Sequence, residues 1–241
     1  MRNPLFVLLF LFTFCFHSLS AQGIFQNIFG KEKIRNLENF DKQRWSYGYY
    51  LGFNSYDFKF DYLDLNGAPN DVLVQRNIGF NVGLIGNLRL NDYFDLRLEP
   101  GVMFTTRNLT FPEFAKQSDA FREVKSTYVH VPLLMKVSTK RLNNFKPFII
   151  GGVSASWNLS SNQDNPDDNS RGQFRMKDNT YYWEIGFGID FYLYYFKFTP
   201  SIRGVFAISD ELVRDNNPNS PYTSNIGAMY SRGIFINFTF Q

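Results

Sequence analysis

Cysteine is all but absent from this chain of 241 residues; the single one, Cys15, lies in an N-terminal leader. Past that leader, disulfides, thiolate metal sites and cysteine nucleophiles are excluded. Histidine is almost as scarce, and His130 is the one copy beyond the leader. Long hydrophobic runs are missing too. After the leader no apolar stretch approaches 18 residues, so any membrane span must be built from strands. Charge of one sign is also lacking: the net charge is +3, and the basic residues form no patch interleaved with free aromatics. That excludes a nucleic-acid partner. What is abundant is aromatic. Phe and Tyr number 28 and 14, a composition that suits strands and the belts where membrane meets water.

Residues 1–21 read as a secretory signal peptide. Arg2 gives a positive start, Leu5 to Phe16 is largely apolar, and Ser18, Ser20 and Ala21 supply a small-residue cleavage site after Ala21. The apolar run is shorter than the roughly 20 residues an anchor helix requires. Cys15 is followed by Phe16 and is no lipid-attachment site. Residues 22–44 form an extension with a small amphipathic piece, Ile24-Phe25-Gln26-Asn27-Ile28-Phe29, then the charged run Lys31 to Glu38. It reads either as a short helix lying against the following domain or as a mobile segment.

From Trp45 to the end the pattern has period two. Ile78, Phe80, Val82, Leu84, Leu88 and Leu90 oppose Asn81, Asn87 and Arg89. Phe94, Leu96, Leu98, Val102 and Phe104 oppose Asp95, Arg97, Glu99 and Thr105. Tyr181, Trp183, Ile185, Phe187, Ile189 and Phe191 oppose Glu184 and Asp190. Phe196, Phe198, Ile202 and Phe206 oppose Lys197, Thr199, Ser201 and Arg203. The closing stretch sets Ile234, Ile236, Phe238 and Phe240 against Asn237 and Thr239. Three further stretches, Trp45–Tyr56, Tyr128–Ser138 and Phe145–Asn158, alternate less cleanly. In the first of them Tyr50 intrudes on the polar face. Alternation over about ten residues is the signature of a tilted membrane strand.

The connections alternate in length. Asn91-Asp92, Thr139 to Asn144 and the turn at Tyr194-Tyr195 are short, whereas Lys59–Asn77, Asn108–Lys125, Ser160–Asn179 and Ser209–Met229 are long and polar. The expected fold is therefore all-β: an eight-stranded antiparallel transmembrane β-barrel of a bacterial outer membrane, with short periplasmic turns and long extracellular loops. Residues 45–241 would form the barrel, with both termini periplasmic. A soluble barrel would put the bulky face inside, but eight strands enclose room only for side chains or one small ligand, which the glycine-rich polar face fits better.

The inward face carries charges of both signs. Arg89, Asp95, Arg97, Glu99, Lys136, Glu184, Asp190, Lys197 and Arg203 are expected to pair as an interior network that fills the lumen, because buried charges need partners. His130 reads as a hydrogen-bonded interior residue. Ser154, Ser156, Asp95 and Glu99 share its placement, but no motif fixes a catalytic grouping, so no catalytic residue, cofactor, metal or small-molecule substrate is expected. Asp164, Asp167 and Asp168 sit in an oxygen-rich loop without the spaced glycine and terminal glutamate of an EF-hand.

The segments Phe40-Asp41-Lys42, Tyr47-Gly48, Leu51-Gly52-Phe53-Asn54, Arg97-Leu98-Glu99-Pro100-Gly101, Tyr128 to Lys136 and Lys146-Pro147-Phe148 resemble the PorT family of the Bacteroidetes, called SprT in gliding members. That resemblance implies a non-enzymatic outer-membrane component of the type IX secretion system. Such a protein would serve export of proteins with C-terminal sorting domains, and gliding where it exists. It would sit among outer-membrane lipid and touch protein partners of a translocon. Ile24, Phe25, Ile28, Phe29, Phe40, Asp41 and Lys42 are the candidate periplasmic contact. The competing expectation is a stand-alone structural or adhesive barrel that works through its loops.

Overall fold

The computed structural model describes residues 35–63, 72–112, 114–164 and 174–241. The expected signal peptide, Ile24, Phe25, Ile28, Phe29, Asp167 and Asp168 lie outside the described residues. A 3₁₀ turn, Phe40–Lys42, precedes the strands. They are β1 (Trp45–Tyr62), β2 (Leu73–Arg76), β3 (Ile78–Arg89), β4 (Phe94–Leu98), β5 (Gly101–Thr110), β6 (Phe121–Ser138), β7 (Phe145–Asn158), β8 (Asn179–Tyr192), β9 (Lys197–Ala207) and β10 (Ile226–Phe240). One helical turn, α1 (Gln117–Ala120), lies before β6. No helix among the described residues is long and apolar enough to cross a membrane.

All strand pairs are antiparallel within one sheet of ten strands, in the order β1-β10-β9-β8-β7-β6-β4-β3-β5-β2. Ten is a correction to the expected eight: one expected strand is split into β4 and β5, and β2 lies within the expected long connection 59–77. Pro100 separates β4 from β5, and the register places Glu99 opposite Pro132 of β6, with Leu98↔Leu133 on one side and Gly101↔His130 on the other. Neither proline has an N–H to give, so the ladder thins at that level, yet Glu99 N–H still donates to the Pro132 carbonyl at 3.2 Å. The faces keep their sense across the break. At Asn77 they do not: Arg76 pairs with Arg107 but Phe80 with Phe104, so one extra residue bulges out and reverses the alternation.

Closure is likewise incomplete. Trp45 to Ser55 of β1 pair with β3, and the opposite edge of β1 pairs with β10. Beyond Ser55↔Ile78, β1 keeps only β10 and β2 pairs only with β5, leaving a seam between β1 and β2 at the long-loop end. Side chains cross it instead: Arg76 Nη2 meets Asp57 Oδ2 at 2.9 Å, and Val72 N–H donates to the Tyr62 hydroxyl at 2.9 Å.

The alternation sorts side chains as a membrane wall requires. Strand β8 exposes Tyr181, Trp183, Ile185 and Phe187 while burying Tyr182, Glu184 and Asp190. At about 3.3 Å per residue and a tilt of about 40°, the outward positions from Tyr181 to Phe191 span about 25 Å, the height of an outer-membrane apolar band. Aromatics rim it. Trp45, Tyr47, Tyr93, Tyr194 and Tyr195 are exposed at the short-turn end, and Trp157 and Tyr181 are exposed at the other. There Trp183 also stacks on Phe206 with centroids 4.5 Å apart. The intruding Tyr50 is inward and buried because Gly83 and Gly101 make room for its ring: a Cβ on Gly101 would fall 2.1 Å from the Tyr50 oxygen.

Candidate functional site

The interior is filled at successive levels. At the waist, β4, β8 and β9 aim charges at one another. Arg203 Nη1 donates to Glu99 Oε2 at 2.9 Å, Arg203 Nε lies 3.0 Å from Glu184 Oε2, and Arg97 Nη2 lies 2.9 Å from Glu99 Oε1. Glu184 Oε1 also lies 2.7 Å from His130 Nε2, whose Nδ1 lies 2.7 Å from Ser156 Oγ. Toward the short turns, Lys136 donates to Asp190 Oδ2 at 2.5 Å, and Thr199 Oγ1 donates to its other oxygen at 2.8 Å.

The expected network is thus brought together in two groups, Arg97–Glu99–Arg203–Glu184 and Lys136–Asp190. Asp95 is buried nearer the short turns, and buried Lys197 holds its ammonium 4.5 Å from the centroid of the Phe40 ring. Arg89 sits apart, on the rim, paired with Asp92 at 2.5 Å.

The grouping Ser156–His130–Glu184 has the partners of a nucleophile, a base and an orienting carboxylate. Their residue exposures are 1%, 1% and 2%. A substrate cannot reach a hydroxyl enclosed on every side, and among the described residues no group of three or more His, Cys, Asp or Glu is placed to hold a metal ion.

The short-turn mouth is stopped by residues 36–43. Arg141, in the turn between β6 and β7, is the fastening. Its guanidinium donates to Leu37 O at 3.3 Å, to Asp41 Oδ2 at 3.4 Å and to Asn36 O, and lies 3.7 Å from the Tyr192 ring centroid. Tyr192 donates its hydroxyl to Asp41 Oδ1 at 2.6 Å, and Phe40 meets the Tyr192 ring edge-on. Lys42 ends this 3₁₀ turn.

The long-loop end carries buried charges that the sequence reading did not place inside: Arg122, Arg175, Glu211 and Asp215 fall in expected long connections, and Arg107 just before one. Arg107 is wholly buried. It donates to Ser231 Oγ and the Tyr128 hydroxyl at 2.8 Å each, and its carbon lies 3.8 Å from the Phe58 ring centroid. Ser231 passes the contact on, donating its N–H and hydroxyl to Glu211 at 3.0 and 2.9 Å. Burial pushes the Glu211 carboxyl up, against the pull of Arg107 and the Ser231 bonds. Arg122 reaches the Tyr222 hydroxyl at 2.7 Å, and Arg175 reaches Asp215 at 3.0 Å. Above them Phe58, Leu109, Phe111, Phe174, Leu212 and Tyr222 belong to an apolar cap. The signal for Arg107 and Arg122 was present: Thr105, Arg107 and Leu109 continue one alternation, as do Arg122, Val124 and Ser126.

A sequence-family profile described as "outer membrane protein beta-barrel domain" matches residues 29–213. Among solved structures, OprG from Pseudomonas aeruginosa aligns at 15% identity and TM-score 0.42, over 80% of this chain and 94% of that one. Neisserial surface protein A aligns at 10% identity and TM-score 0.41, over 82% and 98%. Ail, the attachment invasion locus protein of Yersinia pestis, aligns at 10% identity and TM-score 0.38, over 82% and 99%. No curated protein sequence matches.

These findings correct the expectation of a PorT or SprT protein, and with it the roles in type IX secretion and gliding and the translocon partners. The matching profile is the general barrel domain. The quoted motifs serve architecture: Phe40 and Asp41 stop a mouth, Tyr128 to Lys136 is one stave, and Glu99-Pro100-Gly101 is a ladder break beside Tyr50.

Proposed function

This chain belongs to the outer membrane protein β-barrel domain family, and from that premise we propose that it is a stand-alone structural or adhesive barrel that meets its surroundings through its loop end. The leader 1–21 is removed on export, the residues up to 44 stay on the periplasmic side, and the long connections face outward. The pairs β2–β3 and β4–β5 each act as one stave, giving eight staves around a filled lumen.

One observation carries the reading: the interior is packed with its own side chains at the waist and at both ends, so nothing is left to pass or to bind inside. The described parts of the long connections, by contrast, are built. They are packed on a shared apolar cluster and tied by buried ion pairs such as Arg175–Asp215. Ordering that much chain carries a large entropy cost, which a mere linker would not incur.

Single cysteines placed at Asn217 in a long connection and at Asn143 in a short turn test the orientation with a membrane-impermeant maleimide on intact cells. Labelling at 217 and not at 143 is expected, and the reverse pattern would overturn the orientation. A strain lacking the gene, compared with one whose loop 213–225 is replaced by a short glycine linker, tests the loop end. Equal adhesion and envelope integrity in wild type and both variants would sink the functional reading.

A further inference from the structure

We propose that Asp57, Arg76 and Arg232 form a binding site for the phosphate of an outer-leaflet glycolipid. Asp57 and Arg232 lie on the outer wall at the long-loop end of β1 and β10, and Arg76, the last residue of β2, reaches the same carboxylate across the seam. Arg232 donates to Asp57 Oδ2 from Nε at 3.0 Å and from Nη2 at 2.8 Å, and Arg76 Nη2 reaches the same oxygen at 2.9 Å. One carboxylate therefore holds two guanidiniums side by side, with one positive charge left over. The carboxylate is the buried member, its side chain 9% exposed, while the side chains of Arg76 and Arg232 are 56% and 49% exposed. Each arginine keeps N–H groups that Asp57 does not use, in the planar fork that suits phosphate oxygens.

The level on the wall says what supplies the anion. Asp57 and Arg232 face each other across the β1–β10 ladder, one outward step beyond Ser55 and Ile234. Exposed Phe53, Ile78, Ile234 and Ile236 lie below and continue the apolar band. The pair therefore stands where hydrocarbon gives way to headgroups, and an unmatched charge there is screened less than in open water. Beside it a concavity of about 440 Å³ is lined by Lys59, Asp61, Phe206, Tyr230 and Arg232. Its mixed lining of aromatic and charged side chains fits a sugar carrying a phosphate, and Lys59, though paired with Asp61 at 3.1 Å, is within the same lining to add a donor.

The assignment to the outer leaflet rests on the loop end facing outward. Native mass spectrometry of the purified full chain in mild detergent tests it with four probes: bisphosphorylated lipid A, its dephosphorylated form, phosphatidylglycerol and inorganic phosphate. Retention of bisphosphorylated lipid A is expected, falling about tenfold in the Arg76→Gln/Arg232→Gln double variant and by a similar factor when the lipid's phosphates are removed. Equal retention in the double variant, equal retention of the dephosphorylated lipid, or equal retention of phosphatidylglycerol would each overturn the proposal. So would inorganic phosphate held with no preference for the lipid. If the double variant does not show the heat-modifiable migration of a folded barrel, Arg76→Gln alone is read instead, with an expected loss of about threefold. Detergent solution has no inside or outside, so this assay fails or succeeds independently of the maleimide labelling.

Discussion

Arg203 shows how a charge is kept inside a membrane barrel. It answers two carboxylates at once, Glu99 and Glu184, and each of these keeps a second partner in Arg97 or His130. Replacing it with methionine preserves much of the volume but leaves two carboxylates with one partner each in a site from which water is excluded. Arg203→Met is expected to lower the unfolding free energy in lipid vesicles by about 3 kcal/mol or more, read by urea titration of tryptophan fluorescence. Adding Glu184→Gln should restore part of the loss; a single variant as stable as wild type would mean that the network is decoration.

Glu211 behaves in the opposite sense to a paired surface carboxylate. Burial raises its pKa in the folded cap, so the folded state holds the proton more tightly than the unfolded chain does. Its contribution to stability is full below the ordinary carboxyl range, about 4.3, and is lost as pH rises through the raised folded value. The cap should therefore be firmest on the acid side. Hydrogen exchange at the Ser231 and Met229 amides, corrected for intrinsic rates, should be slower at mildly acidic than at neutral pH in wild type and level in Glu211→Gln. A level profile in the wild type would contradict the burial argument.

Among the elements, the segment at the short-turn mouth is held to the barrel by side-chain contacts. Arg141 bonds Leu37, Asp41 and Asn36, while Asn36 also bonds Asn144 and the Tyr192 carbonyl, and Tyr192 and Phe40 supply the packing. Because Arg141 sits in a turn and not in the ladder, Arg141→Ala should release residues 36–43 without unfolding the sheet. Losing charge-assisted bonds worth about 1.5–3 kcal/mol predicts at least tenfold faster proteolysis in this segment, with unchanged heat-modifiable migration. Cleavage as slow as in wild type would assign the anchoring to the Asn36 and Tyr192 hydrogen bonds and the aromatic contacts.

What could be read from sequence and what could not divides at this scale. Alternation is local, so the run from Tyr181 to Phe191 and the placement of Glu184 and Asp190 were legible. The split at Pro100 was not, because it depends on Glu99 standing opposite Pro132, thirty-odd positions away, a fact of register. The bulge at Asn77 escaped for the same reason. Arg122 and Glu211 were missed because polar residues past the apolar band look like loop, and Arg107 because the alternation was not followed beyond Thr105. Only the cap above them shows that they are interior. The motif resemblance misled because residues that make a stave or stop a mouth recur wherever a small barrel has the same task.

For the molecule as a whole, the seam and the seal belong together. The open stretch between β1 and β2 begins where the apolar band ends, so backbone groups without a strand partner there face water and headgroups instead of hydrocarbon. A barrel can leave such a seam only if its lumen is closed by other means, and here three stoppers stand in series: the Arg141-fastened segment, the waist charges, and the Arg107 layer under its apolar cap. Resistances in series add, so removing one leaves the path blocked by the other two. Wild type in planar bilayers is therefore expected to give no conductance steps, and Arg141→Ala, although it frees a mouth, is expected to give none either. Steps should emerge only when the waist is thinned and the cap is cut as well, as in Glu99→Ser/Arg203→Ser combined with Arg107→Ser and replacement of residues 213–225 by a short linker. Steady current through Arg141→Ala alone would show that the waist conducts and that the barrel is a pore held shut at its short-turn mouth.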